Sequence, residues 1–215
     1  MQLILVRHGT TALNAQRRFQ GWSDASLDAQ GEKQAAELAR ALYGHRLEAV
    51  VTSDLLRATA TAEVLTRKLG MTFTTDARLR ELCFGEWEGL TFDEIEARHP
   101  ILARRWTENP WRHAPPAGET LHMLHKRITA FLAEMGRTWN GRTVGVVAHA
   151  GSLQVLMAAA LEANPTRFWQ YEIQPGSWSS LKLNQDGGVL EHLNVNPVQS
   201  VGNGNHMAPE ETWSE

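Results

Sequence analysis

Two histidines, two arginines and a glutamate stand along this chain at positions suited to moving an anionic group. Arg7-His8-Gly9-Thr10-Thr11 follows directly on the apolar run Leu3-Ile4-Leu5-Val6, and His149 follows on Val144-Gly145-Val146-Val147-Ala148. A histidine that ends a buried strand stands at the rim of a sheet, so the two can meet in space however far apart they lie in the chain. Arg7 and Arg57 keep their charge at any working pH, and their planar forks match phosphate oxygens. The Ser53–Arg57 segment, read as a helix start, adds backbone N–H groups that favour anions. Imidazole can serve as nucleophile, acid, base or anion partner. Gly9 beside His8 is read as a place where a substrate must come close. The set reads as a phosphate pocket. Phosphoryl transfer also needs an acid for the leaving group. Glu81, in Arg80-Glu81-Leu82-Cys83-Phe84-Gly85-Glu86-Trp87-Glu88-Gly89, suits that task if partly buried, although spacing alone ranks it only weakly above Glu86 and Glu88.

For these residues to converge, the chain must lay its strands side by side. Residues 2–7 read as a buried strand, 48–52 as a second, 72–75 as a short third and 143–148 as the clearest. Residues 29–43 repeat Ala35, Leu38, Ala39 and Leu42 at helical spacing, with Asp28 as N-cap and Gly44 as stop. A helix begun by Ser53 carries Ala58, Ala62, Leu65 and Leu69 to Gly70. Residues 92–107 read as helix broken at Pro100, and 108–118 as a proline-rich loop. Residues 119–137 form a long helix burying Leu121, Leu124, Ile128, Phe131, Leu132 and Met135, and 152–162 form the helix after His149. Two late strands, 178–184 and 189–195, flank the turn Asp186-Gly187-Gly188. This alternation predicts a three-layer α/β/α fold with a mostly parallel central sheet of about six strands. Ligands of such sheets bind at the carboxyl ends of the strands, where His8, Ser53 and His149 all fall. One domain spans residues 1–198, and 199–215, poor in apolar residues, are expected as a flexible tail in which His206 has no role.

Composition bounds the partners. The chain has 215 residues, 42% hydrophobic and 21% charged, enough for a full core. A net charge of −3 argues against nucleic acid as partner and makes any positive site local. One cysteine, Cys83, excludes an intrachain disulfide framework and fits a reducing compartment. Neither a leader nor the roughly 18-residue apolar run of a membrane span is seen, so a cytoplasmic protein without membrane contact is expected. A homodimer is the base-rate expectation for its assembly.

Arg7-His8-Gly9-Thr10-Thr11 with Asn14 resembles the signature of the histidine phosphatase, or phosphoglycerate mutase-like, superfamily. The resemblance continues in order through Gln20-Gly21-Trp22-Ser23-Asp24, Ser53-Asp54-Leu55-Leu56-Arg57-Ala58-Thr59, Glu81 with Phe84-Gly85, and Ala148-His149-Ala150-Gly151. It covers about residues 1–197. It implies His8 as nucleophile through a phosphohistidine, with Arg7, Arg57 and His149 holding the phosphoryl oxygens. Asn14 and backbone N–H groups near Gly9 would add donors, and Glu81 would be the acid that later activates water. Gly9, Thr10, Asn14, Gln20, Gly21, Ala150 and Gly151 are thereby implied as substrate-binding positions, with no metal and no cofactor.

The stretch Phe84–Thr91 with Glu94-Ile95 and Pro116–Thr120 is similar to the phosphatase branch, and within it to α-ribazole phosphatases. The implied substrate is then a small phosphorylated metabolite, with α-ribazole 5′-phosphate of cobalamin biosynthesis first among candidates. Arg104, Arg105 and Arg112 keep a cofactor-dependent phosphoglycerate mutase as the alternative, and a non-catalytic phosphate-binding module of the same fold is a third reading. Ala150 departs from the glycine of many relatives. Of the eight tryptophans, Trp22, Trp87 and Trp111 are candidates for substrate contact, whereas Trp106, Trp139 and Trp169 should pack helices. His122 and His125 share helical spacing but flank the apolar stripe, and Cys83 reads as a small buried residue. Glu119 either lines the mouth or starts its helix, and Arg17 and Arg18 read as solvated charges that could guide an anion.

Overall fold

The computed structural model describes residues 1–184 and 187–197, without the side chains of Phe168 and Trp169. The expected tail, His206, the first residue of the expected Asp186 turn and the packing of Trp169 lie outside those residues. Among the described residues no helix is long and apolar enough to cross a membrane.

The chain runs β1 (Gln2–Arg7), α1 (Ala12–Ala15), α2 (Ala29–Ala41), β2 (Ala49–Thr52), α3 (Leu56–Leu69), β3 (Thr74–Thr75), α4 (Phe92–Arg98), α5 (Pro100–Glu108), α6 (Leu121–Thr138), β4 (Thr143–Ala148), α7 (Ala150–Ala160), β5 (Trp178–Asn184) and β6 (Gly187–Val195). One six-stranded sheet forms in the order β3-β2-β4-β1-β5-β6. The first four of these are mutually parallel, while β5 runs antiparallel to both β1 and β6. The expected α/β fold with a mostly parallel sheet is therefore the observed one.

Strand alternation makes the three layers. Leu3 and Leu5 of β1 join Val144 and Val146 of β4 against α6 and α7, through Leu124, Ile128, Phe131, Leu153 and Leu156. Ile4 and Val6 face the other way, onto Leu38 of α2 and Ala58, Ala62 and Leu65 of α3. Because the central strands are covered on both faces, they read as continuous apolar runs. A third cluster, Trp87, Ile95 and Ala103, closes the middle of the chain with Phe19, Phe84 and Trp106 beside it.

Helix limits follow local chemistry. Asp28 caps α2 through the Gly31 amide, and Gly70 ends α3 in the left-handed region, both as expected. Pro100 opens α5 as its first residue. Three expectations are corrected. Ser53 does not cap α3: the N-cap is Leu55, and the Leu56 amide is held instead by Asp24 Oδ1 at 2.8 Å. Gly44 does not end its helix, which tightens into a 3-10 turn through His45. Leu132 is only half-buried, at the margin of the α6 stripe.

Candidate active site

Register builds the site. Arg7 pairs with Ala148 in the parallel ladder, so the next residues, His8 and His149, leave their strands side by side. The Thr52–Val147 pair brings Ser53 to the same edge. The His8 and His149 rings lie 5.1 Å apart between centroids, tilted by 59°, and both are essentially fully buried.

Each ring is fixed by one hydrogen bond. His8 Nδ1 lies 2.7 Å from the Gly9 carbonyl, which can only accept, so Nδ1 carries the proton and Nε2 keeps a free lone pair. His149 Nε2 lies 2.8 Å from Ser53 Oγ. Ser53 Oγ also accepts from the Leu55 amide, and with its second lone pair and its own hydrogen it can meet His149 Nε2 in either tautomer. Burial pushes both imidazoles well below their usual pKa, and Arg57 and Arg7 add to the push on each. Both rings are neutral at neutral pH, as a nitrogen nucleophile requires.

Arg57 is a buried cation and Arg7 a half-buried one. Arg57 is 1% exposed and donates to the carbonyls of Ser23 and Gly21 at 2.8 and 2.7 Å. Gly21 adopts φ +52°, and a Cβ there would collide with Glu88, so this glycine serves to bring its carbonyl to Arg57. Arg7 donates to the Ile173 carbonyl. Burial lowers its pKa to about 10, still protonated at neutral pH, with Glu81 opposing that shift. Three buried nitrogens in this cluster, Arg7 Nε, Arg57 Nε and His149 Nδ1, have no partner among the described residues.

Above them opens a cleft of about 250 Å³ lined by Arg7, His8, Arg57, Glu81, Asn14, Gln20 and Gly21, and at its rim by Arg17, Arg18, Phe19 and Phe84. Asn14 Oδ1 accepts from Thr11 in a capping box, leaving its amide nitrogen as a donor. The Glu81 carboxylate accepts from the Leu82 and Gly151 amides at 2.8 and 3.0 Å. Trp22 donates its indole N–H to the Glu81 carbonyl at 2.8 Å, and the Arg80 guanidinium lies over its ring at 4.8 Å.

Several expected contacts are assigned other work. Trp87 is fully buried in the third cluster, edge-on to Trp106, and is not at the mouth. Its segment is a 3-10 turn that points the indole inward. Trp111 packs against His122 and His125 at 5.0 and 5.3 Å. Gly9 is required by α2, since a Cβ would strike the Gly31 backbone, and its amide donates to Thr61 Oγ1 at 3.2 Å. Thr10 ties the same loop to α2 through Asp28 and Gln34, so both its donors are engaged. Ala150 begins α7 without lining the cleft. Cys83 is half-buried rather than buried.

Arg127 went unread in the sequence. Its guanidinium donates to the carbonyls of Arg78, Arg80 and Glu81 at 2.6, 2.6 and 2.7 Å and forks onto Glu119. Glu119 also accepts from the Cys83 amide. The pair clamps the segment that carries Glu81. A charged residue three after Leu124 and four before Phe131, on the buried stripe of α6, was the available signal.

The family model described as the histidine phosphatase superfamily (branch 1) matches residues 3–196. Phosphoserine phosphatase 1 of Hydrogenobacter thermophilus is 31% identical over 91% of this chain and 92% of its own length. The adenosylcobalamin/alpha-ribazole phosphatase of Escherichia coli is 29% identical over 92% of this chain and 98% of its own. The crystal structure of a putative alpha-ribazole-5′-P phosphatase from Escherichia coli superposes with TM-score 0.86 at 27% identity, covering 91% of this chain and 97% of that one.

Proposed function

The chain belongs to branch 1 of the histidine phosphatase superfamily and is a phosphatase, and from that premise we propose that it hydrolyses phosphomonoesters through a phosphohistidine on His8 without a metal ion. One observation carries the reading: a neutral His8 with a free Nε2 stands beside the His149 ring and two buried guanidinium N–H groups, Arg7 Nε and Arg57 Nε, that have no partner among the described residues. Native interiors rarely leave such groups unpaired, so they are placed for an anion.

His8 Nε2 attacks phosphorus in line with the ester oxygen. Charge spreads over the three equatorial oxygens, and the arginines and His149 stabilise it from fixed positions in a water-poor site. Glu81, in its protonated form, gives its proton to the departing alkoxide. It then takes a proton from water, which attacks the phosphohistidine and releases inorganic phosphate, leaving His8 as it began. The arginines that kept a mutase in view lie elsewhere: Arg104 pairs with Glu108 on the surface of α5, and neither Arg105 nor Arg112 lines the cleft. The lining therefore favours water as acceptor.

Within this reading α-ribazole 5′-phosphate is the metabolite the motif resemblance names, in line with the name of the Escherichia coli relative. The name of the Hydrogenobacter relative points to phosphoserine instead. Phosphoserine carries a carboxylate and an ammonium on its leaving alcohol, whereas the leaving alcohol of α-ribazole 5′-phosphate is a nucleoside without a carboxylate.

The test is turnover of p-nitrophenyl phosphate in EDTA, with acid quenching to trap phosphoprotein. Steady turnover and an acid-labile phosphate that both vanish in His8→Ala, with the melting transition retained, are expected. Near-wild-type activity in His8→Ala would refute the nucleophile.

A further inference from the structure

We propose that Arg17 recognises a carboxylate on the leaving group, and that the chain's substrates are small phosphomonoesters of carboxylic acids. The inference rests on the phosphatase reading above and adds the substrate class.

The first observation is backbone conformation. α1 ends in a Schellman turn: the Arg17 amide donates to the Asn14 carbonyl and the Arg18 amide to the Leu13 carbonyl, at 3.0 and 2.9 Å. Arg17 therefore occupies the left-handed position of that turn, with φ +54°. Glycine or asparagine is favoured there, because a longer side chain strains the backbone. A strained residue at the lip of a cleft points to a function for its side chain.

The second observation is pairing. Arg17 and Arg18 both line the cleft. Arg18 is neutralised by Glu94 and bonded to the Gly89 carbonyl. The exposed Arg17 side chain makes no hydrogen bond or ion pair among the described residues.

The third is the charge balance of the lining. Both imidazoles are neutral, held so by burial and by Arg57 and Arg7. Arg7 and Arg57 match the two charges of a phosphomonoester dianion. Arg17 is a further cation of the lining, exposed beside the half-buried Phe19 and Phe84, on the side open to the alcohol portion of a substrate whose phosphoryl group meets Arg7 and Arg57. A carboxylate on that portion would meet this guanidinium, which pairs with carboxylate by a charge-assisted, two-point hydrogen bond. A nucleotide such as α-ribazole 5′-phosphate has no such group on its alcohol.

The experiment compares matched esters on the purified chain: L-phosphoserine with phosphoethanolamine, and 3-phosphoglycerate with glycerol 3-phosphate, alongside α-ribazole 5′-phosphate and p-nitrophenyl phosphate. The wild type should prefer each carboxylate by roughly 10- to 100-fold in kcat/KM. In Arg17→Gln that ratio should fall toward one, mainly through KM, and Arg17→Lys should recover part of it. Arg17→Gly should lose the preference too, while melting about 2–4 °C higher as the strain is relieved. Equal treatment of the matched esters by the wild type, or an equal loss on both in Arg17→Gln, would overturn the proposal. So would a kcat/KM for α-ribazole 5′-phosphate above both carboxylates. Failure of p-nitrophenyl phosphate turnover and of phosphoprotein trapping would instead strike the underlying phosphatase reading, a distinct result.

Discussion

The backbone N–H of Gly151 donates to Glu81 Oε2 at 3.0 Å, and a Cβ at position 151 would collide with Glu81 Oε1. The first turn of α7 is thus the seat of the carboxyl group. Gly151→Ala should displace the acid while favouring the helix itself by up to about 1 kcal/mol. We expect kcat/KM to drop on the order of 10- to 100-fold, more on alkyl phosphates, which need protonation, than on p-nitrophenyl phosphate. A leaving-group series together with a melting curve checks this; equal losses on both classes would contradict it.

Arg127 should act on the same acid from the other side. Arg127→Ala leaves Glu119, whose side chain is 12% exposed, without its counter-charge and frees the carbonyls of residues 78, 80 and 81. Stability should fall by roughly 3 kcal/mol. Arg127→Lys keeps the charge but cannot fork, so it should recover stability in part and kcat on alkyl phosphates less. Urea unfolding and the leaving-group series on both variants read these two effects separately.

The buried imidazoles make stability depend on pH. His8 and His149 titrate well below the usual imidazole range in the folded chain, through burial first and then their arginine neighbours. The unfolded chain binds protons near pH 6.5 and the folded chain does not. Their contribution is therefore complete above about pH 6.5 and is lost as pH falls, by at most about 1.4 kcal/mol per unit for each ring. Denaturant midpoints between pH 7.5 and 5 should decline, and the slope should flatten in the double variant His8→Gln, His149→Gln. A slope unchanged by that pair of substitutions would exclude these rings as its source.

Trp87 should report on stability, not on substrate. Trp87→Ala empties a fully buried site and should cost about 3–5 kcal/mol. Trp87→Phe should cost clearly less, since the indole N–H has no partner to lose. KM measured on the folded fraction should match the wild type in both; a raised KM would return Trp87 to the cleft.

Much of the site was legible because it is written at strand ends. Runs such as Leu3–Val6 and Val144–Ala148 declare central strands, and the residues that follow them must emerge on one edge of a parallel sheet. Glycines and aromatics were harder. Gly9 beside a reactive histidine looks like room for substrate, yet the atom it avoids belongs to Gly31, twenty-two positions on. Trp87 in a glycine-punctuated loop looks exposed, yet Ile95, Ala103 and Trp106 from α4 and α5 enclose it.

By itself, then, the sequence determined the sheet from its periodicity and offered His8, Arg7, Arg57 and His149 from strand ends and side-chain chemistry, while the choice of Glu81 over Glu86 and Glu88 rested on the resemblance of its ordered motifs to the family. Only the tertiary structure decided which nitrogen of His8 is free, which arginine is clamped and which is unpaired, and what a side chain at Gly9, Gly21 or Gly151 would strike. Those properties belong to pairs of atoms brought within a few ångströms from distant segments, and no single stretch of chain encodes such a distance.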